Sequence, residues 1–112
     1  MIVFATDFGI QGPYTGQMKA VIKDYAPDIP VVDLFSDLPP ANPRLASYLL
    51  AAYTTHFPTG SIFLCVVDPG VGSSRRALCL DIAGDWFVGP DNGLFEMEIR
   101  RKRVLSKTYE IM

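Results

Sequence analysis

Three short apolar runs in this chain each end in aspartate and glycine, and that repetition constrains the fold more than any other feature. The first runs from Ile2 through Thr6-Asp7-Phe8-Gly9, the second from Ile62 to Val67-Asp68-Pro69-Gly70, and the third from Trp86 to Gly89-Pro90-Asp91-Asn92-Gly93. Apolar runs of this length, bounded by turn residues, read as buried strands. A strand that ends in a carboxylate presents it at the carboxyl edge of a sheet, where α/β folds gather their polar chemistry. Core packing does not account for three such endings. The second is the most loaded, because Gly70-Val71-Gly72-Ser73-Ser74 leads straight into Arg75 and Arg76.

The segments between these runs have helical spacing. Tyr14, Met18, Val21, Ile22 and Tyr25 fall along one helical face, and Pro27 ends that helix after Ala26. Ile29–Phe35 reads as a second strand. Asn42-Pro43 is a helix start, a capping residue followed by proline in the first turn. The helix it opens carries Leu45, Leu49, Ala52, Tyr53 and His56 on one stripe and ends before Pro58. Arg76–Ile82 and Trp86–Val88 are strands joined through Ala83-Gly84-Asp85 as a hairpin. Gly93–Lys102 reads as a short helix and Thr108–Ile111 as the start of another strand. The order predicts an α/β fold, a mostly parallel Rossmann-like sheet with helices on both faces, in three layers, and a β-hairpin extension. Residues 1–112 read as a single domain. Because the chain stops within an expected strand, it reads as the front portion of a larger design.

Bulk properties narrow the partners. The 112 residues are 49% hydrophobic and 20% charged with a net charge of −2, ordinary for a globular domain and a poor electrostatic match for nucleic acid. The basic run Arg100-Arg101-Lys102-Arg103 has no aromatic platform beside it and reads as a solvated helix end. No apolar run approaches the ~18 residues of a membrane span, and the N-terminus turns polar too early for a signal peptide. A cytoplasmic protein without a membrane partner is expected. Cys65 and Cys79 sit in apolar runs without metal-ligand spacing and read as buried hydrophobes. His56, the one histidine, reads as a helix-end residue, and no metal is expected.

The candidate site residues carry two readings each. Asp7 sits where a carboxylate accepts the hydroxyls of a ribose, or it is a turn aspartate bonded to its own backbone. Asp68 with Arg75 is a pair able to orient a water, or a structural ion pair bracing the glycine loop. Asp91 and Asn92 present polar groups to a ligand, or they simply form the tight turn that Asn-Gly favours. Arg76, adjacent to Arg75, should point elsewhere and is given a structural role. Asp7 and Asp91 as metal ligands of a phosphatase are a further alternative.

Taken together, Thr6-Asp7-Phe8-Gly9, Pro13 through Lys19, Val31-Val32-Asp33-Leu34, Phe57-Pro58-Thr59-Gly60, Val67 through Gly72 with Arg75-Arg76, and Gly89 through Leu94 resemble the S-adenosylmethionine (SAM) hydroxide adenosyltransferase family. This family is related to the SAM-dependent fluorinase and chlorinase. The resemblance runs in order from Met1 to about Ile111. It implies hydrolysis of SAM to adenosine and L-methionine, with SAM as substrate and no cofactor. It also implies a homo-oligomer, a trimer in the family, whose active site lies between the first domain of one subunit and the β-rich second domain of its neighbour. Residue by residue, Asp7 matches the ribose-binding aspartate, and Asp68 and Arg75 match two members of an Asp-Arg-His set that handles the water. Phe8, Tyr14, Asp91 and Asn92 are expected to bind substrate. The histidine of that set and the second domain have no counterpart in the matched segment. The expectation is therefore a domain weakly active or inactive alone. A non-catalytic nucleoside-binding or assembly module, or a halogenase relative, is the alternative.

Overall fold

The computed structural model describes residues 1–68, 76–102 and 107–111. Ile2–Thr6 (β1) pairs in parallel with Val31–Phe35 (β2) on one side and with Ile62–Val66 (β3) on the other. β3 pairs in parallel with Asp85–Pro90 (β5), and Ala77–Ile82 (β4) lies antiparallel to both β5 and Lys107–Ile111 (β6). The sheet order is β2-β1-β3-β5-β4-β6. The sheet is thus mixed, with three parallel pairings across β2-β1-β3-β5 and two antiparallel ones, β5-β4 and β4-β6.

Connection handedness places the helices. The chain steps from β1 to β2 in one direction and from β2 back past β1 to β3 in the other. Right-handed crossovers then put the two linking helices on opposite faces. The contacts agree. Phe4 and Asp33 are register partners and share a face. The Lys19 ammonium meets the Asp33 carboxylate at 2.7 Å, so Tyr14–Tyr25 (α1) lies over that face. Pro43–Tyr53 (α2) instead packs Ala46 and Leu50 against the face of Val3, Ala5, Phe63 and Cys65, all fully buried. Glu96–Lys102 (α3) rides on the same side, where Leu94 and Phe95 seal Phe87. The opposite face of β3, β5 and β4 is covered by no helix among the described residues. Leu64, Val66, Cys79, Trp86 and Val88 are only half-buried there.

Several boundaries and faces differ from the sequence reading. α1 ends at Tyr25 and has no fully buried residue; Tyr14, Val21 and Tyr25 are exposed, and Thr15, Met18, Lys19 and Ile22 make its inner side. α2 starts as expected, with the Asn42 side chain accepting from the Leu45 N–H at 3.1 Å. Its buried face is Ala46, Ser47, Leu50 and Ala51, while Leu45 and Tyr53 are exposed. Small residues let this helix approach the sheet closely, which a count of large apolar side chains does not anticipate. The helix stops at Tyr53, and at its end the Thr54 hydroxyl turns inward to the Leu50 carbonyl and the Glu98 carboxylate. His56 therefore lies beyond α2, exposed in the following turn. The short helix begins at Glu96 rather than Gly93. β5 is longer than expected because its hairpin loop is only Ala83-Gly84, both at positive φ as a primed turn requires.

Candidate functional site

All three aspartate-bearing strand ends lie along the carboxyl edge of the parallel strands. Asp7 follows β1, and its N–H donates to the Val66 carbonyl at 3.2 Å, so the ends of β1 and β3 are tied together. Its carboxylate does not bond its own turn. Oδ2 accepts from the Ala41 N–H at 2.8 Å, a residue in the β2–α2 loop. That loop is pinned to the end of β1 twice more, by Gly9 N–H to Ser36 O at 2.6 Å and Leu38 N–H to Thr6 O at 3.0 Å. Ala41 itself sits at φ +52°, the left-handed region that a side chain disfavours. Phe8 and Tyr14 are brought together, ring centroids 5.8 Å apart and tilted by 60°. Thr6, the residue before Asp7, is 1% exposed, and its Oγ1 has no hydrogen-bond partner among the described residues.

The second cluster surrounds Asp68. A groove of about 250 Å³ opens on the helix-free face, walled by Leu64, Val66, Val88 and Pro90 and rimmed by Asp68 and Arg76. Arg75 lies outside the described residues. Arg76, expected to be merely structural, donates from Nε at 3.0 Å and Nη2 at 2.6 Å to Oδ2 of Asp91. The Asp91 N–H in turn donates to the Arg76 carbonyl at 2.9 Å. Hydrogen bonding to Asp91, then the charges of Asp91 and Glu110, raise the Arg76 guanidinium above its ordinary pKa. The hairpin contained the signal for this pair. Once Ala83-Gly84 is a two-residue loop, counting outward from Ile82 opposite Asp85 brings Arg76 opposite Asp91.

Asn92 uses its side chain to hold the backbone. Its Nδ2 donates to the Val67 carbonyl at 2.8 Å and its Oδ1 accepts from the Leu94 N–H at 3.2 Å. The turn after β5 is thereby fastened to the residue preceding Asp68. Asn92 also borders a cleft of about 350 Å³ on the other face, between α2 and α3, with Arg44, Tyr48, Met97 and Arg100 around it. No group of three or more His, Cys, Asp or Glu side chains suited to a metal ion occurs among the described residues.

Residues 2–112 match the model of the SAM hydroxide adenosyltransferase N-terminal domain. The chain belongs to that family. It is 46% identical over 97 residues to an (R)-S-adenosyl-L-methionine hydrolase from Thermus thermophilus, covering 86% of this chain and 37% of the relative. A hydrolase of the same name from Methanocaldococcus jannaschii is 36% identical, covering 85% and 38% respectively. A fluorinase from Nocardia brasiliensis is more distant, 24% identical with 99% of this chain and 44% of the relative covered. Among solved structures, an uncharacterized conserved protein from Thermotoga maritima superposes with a TM-score of 0.94 at 38% identity. That match covers 100% of this chain and 43% of the other. This family member thus spans well under half the length of the relatives it matches. Among the described residues no helix is long and apolar enough to cross a membrane.

Proposed function

We propose that this chain is the N-terminal, ribose- and water-handling part of a SAM hydrolase. Water or hydroxide attacks the 5′ carbon of the SAM ribose, the C5′–S bond breaks, and its electron pair goes to sulfur. The products are adenosine and L-methionine, a neutral thioether that needs no acid to leave, and the water proton passes to Asp68 or to solvent. The step requires no metal or redox cofactor. Rate enhancement rests on positioning the nucleophile and on the electrostatics around a vanishing sulfonium charge.

Asp7 is the ribose acceptor, with the Phe8–Tyr14 pair beside it. Asp68, together with Arg75, orients the attacking water. Asp91 and Asn92 complete the polar rim, and a carboxylate at position 68 disfavours a halide nucleophile by repulsion. The observation that carries this reading is the family match over residues 2–112, with hydrolases more similar than the fluorinase. The chain is read as one cytoplasmic α/β domain that acts in a homo-oligomer, a trimer by resemblance, where a neighbour completes each site.

The second reading is a nucleoside-binding module without turnover. Incubation of the purified chain with SAM, with adenosine followed by chromatography, separates the two. Little or no adenosine is expected from the chain alone, and release is expected when a full-length relative, inactivated at its own counterpart of Asp68, supplies the remaining part. Release that survives Asp68→Asn removes Asp68 from the mechanism. No release even with the full-length relative leaves the binding module as the better account.

A further inference from the structure

The Asp7 carboxylate meets the rest of the molecule unevenly. Oδ2 is engaged by the Ala41 N–H at 2.8 Å, whereas Oδ1 has no hydrogen-bond partner among the described residues. The donor is not incidental to a relaxed loop. Ala41 is at φ +52°, one of only two non-glycine residues at positive φ among those described, and the other lies in the hairpin loop. A strained backbone persists only where its surroundings over-determine it. Here Ala41 is the third residue of a turn closed by Asn42 N–H to Pro39 O at 3.2 Å, a position that calls for positive φ, and Leu38 N–H to Thr6 O and Gly9 N–H to Ser36 O fix the same loop to the end of β1.

From this geometry we infer that Ala41 is a positioning residue for Asp7, and that its N–H makes recognition of a vicinal diol asymmetric. The inference rests on the ribose-binding reading of Asp7 and adds which oxygen does the work. Oδ1 accepts one hydroxyl at full strength. Oδ2, already sharing its lone pairs with a backbone donor, accepts the other weakly. The same donor fixes how an asparagine would sit at position 7. Its oxygen faces Ala41, so its NH2 faces the ligand and can only donate to the hydroxyl oxygen, a neutral bond in place of one to a charged acceptor.

The test is calorimetry on the full chain with adenosine, 2′-deoxyadenosine and 3′-deoxyadenosine. One deoxy analogue should lose roughly tenfold in affinity and the other no more than about twofold, the difference between a strong hydrogen bond to a charged group and a weak one. Asp7→Asn should bind adenosine about tenfold more weakly, because a neutral N–H donor replaces the charged acceptor at the ligand, and Asp7→Ala at least as weakly. Ala41→Gly keeps both the N–H and the positive φ and should bind as wild type. Ala41→Val, a β-branched residue the left-handed region excludes, should weaken adenosine and bring the two analogues closer together. Hydrogen exchange gives a readout independent of ligand. The Ala41 amide should lose protection in Asp7→Ala while the Leu38 amide keeps it.

Equal losses for the two deoxy analogues, or an Asp7→Asn variant with wild-type affinity, overturn the asymmetry while leaving nucleoside binding intact. Adenosine binding that is absent in the wild type, or unchanged in Asp7→Ala, removes the ribose reading and this inference with it.

Discussion

Phe63 and Leu64 are consecutive residues of β3, yet the first is sealed and the second half open. The same division runs through the sheet. On one side Val3, Ala5, Phe63, Cys65 and Phe87 sit under α2 and α3 at 0% exposure. On the other, α1 shields only the β1–β2 part, and Leu64, Val66 and Val88 wall an open groove. Both faces are apolar, so composition does not separate them; the helices do. The sealed face carries the stability, and the open face ends in Asp68 and Arg76. Its side chains are placed where a ligand or another protein surface can reach them.

The largest test of this contrast is Phe63→Ala, which removes a ring stacked 4.8 Å from Phe87 and should cost about 3–5 kcal/mol in urea unfolding. A loss below about 1 kcal/mol would mean that the sealed face is not the main source of stability. Gly89→Ala comes next. A Cβ there would lie 2.5 Å from the Cys65 carbonyl and 2.7 Å from the Phe95 ring, so a loss of about 3 kcal/mol is expected from overpacking. Thr6→Val should move the other way. It replaces a buried hydroxyl that has no partner among the described residues, and a gain of about 1 kcal/mol is expected, read as a higher denaturation midpoint. A loss instead would show that the hydroxyl is paired in solution. Val88→Thr on the open face should change stability by less than about 0.5 kcal/mol.

The two cysteines probe the same contrast chemically. Burial, then the charge of Glu98, pushes the Cys65 thiol far above its ordinary range, whereas Cys79 is raised by partial burial and by Asp81. The thiolate is the reactive form. Alkylation of native protein should therefore label Cys79, faster as pH rises above about 9, the ordinary thiol range. Cys65 should be labelled only on unfolding, and labelling both at one rate would erase the distinction between the faces.

Much of this was legible in the chain. The strand ends at Asp7, Asp68 and Asp91 followed from apolar runs meeting turn residues, and the start of α2 followed from Asn42-Pro43. What was not legible depended on contacts distant in sequence. The inner face of α2 is built from Ala46, Ser47 and Ala51, whose value lies in how close they let the helix come. The exposed apolar side of α1 obeys helical periodicity without being buried. The Ala41–Asp7 bond joins residues whose neighbourhood is created only by the crossover from β1 to β2. The Arg76–Asp91 pair needed the length of one hairpin loop to be read correctly.

The bond from Asn92 to the Val67 carbonyl has a consequence for how substitutions in this protein are interpreted. If Asp68 acts as proposed, a mutational scan scored by activity would rank position 92 beside it, because releasing Val67 loosens the residue next to the carboxylate. Such a ranking would not separate leverage on Val67 from contact with a ligand. Where polar side chains gather at strand ends, those that hold their neighbours in place and those that would touch a ligand fall on the same list. They separate only when ligand affinity and turnover are measured on the same variant.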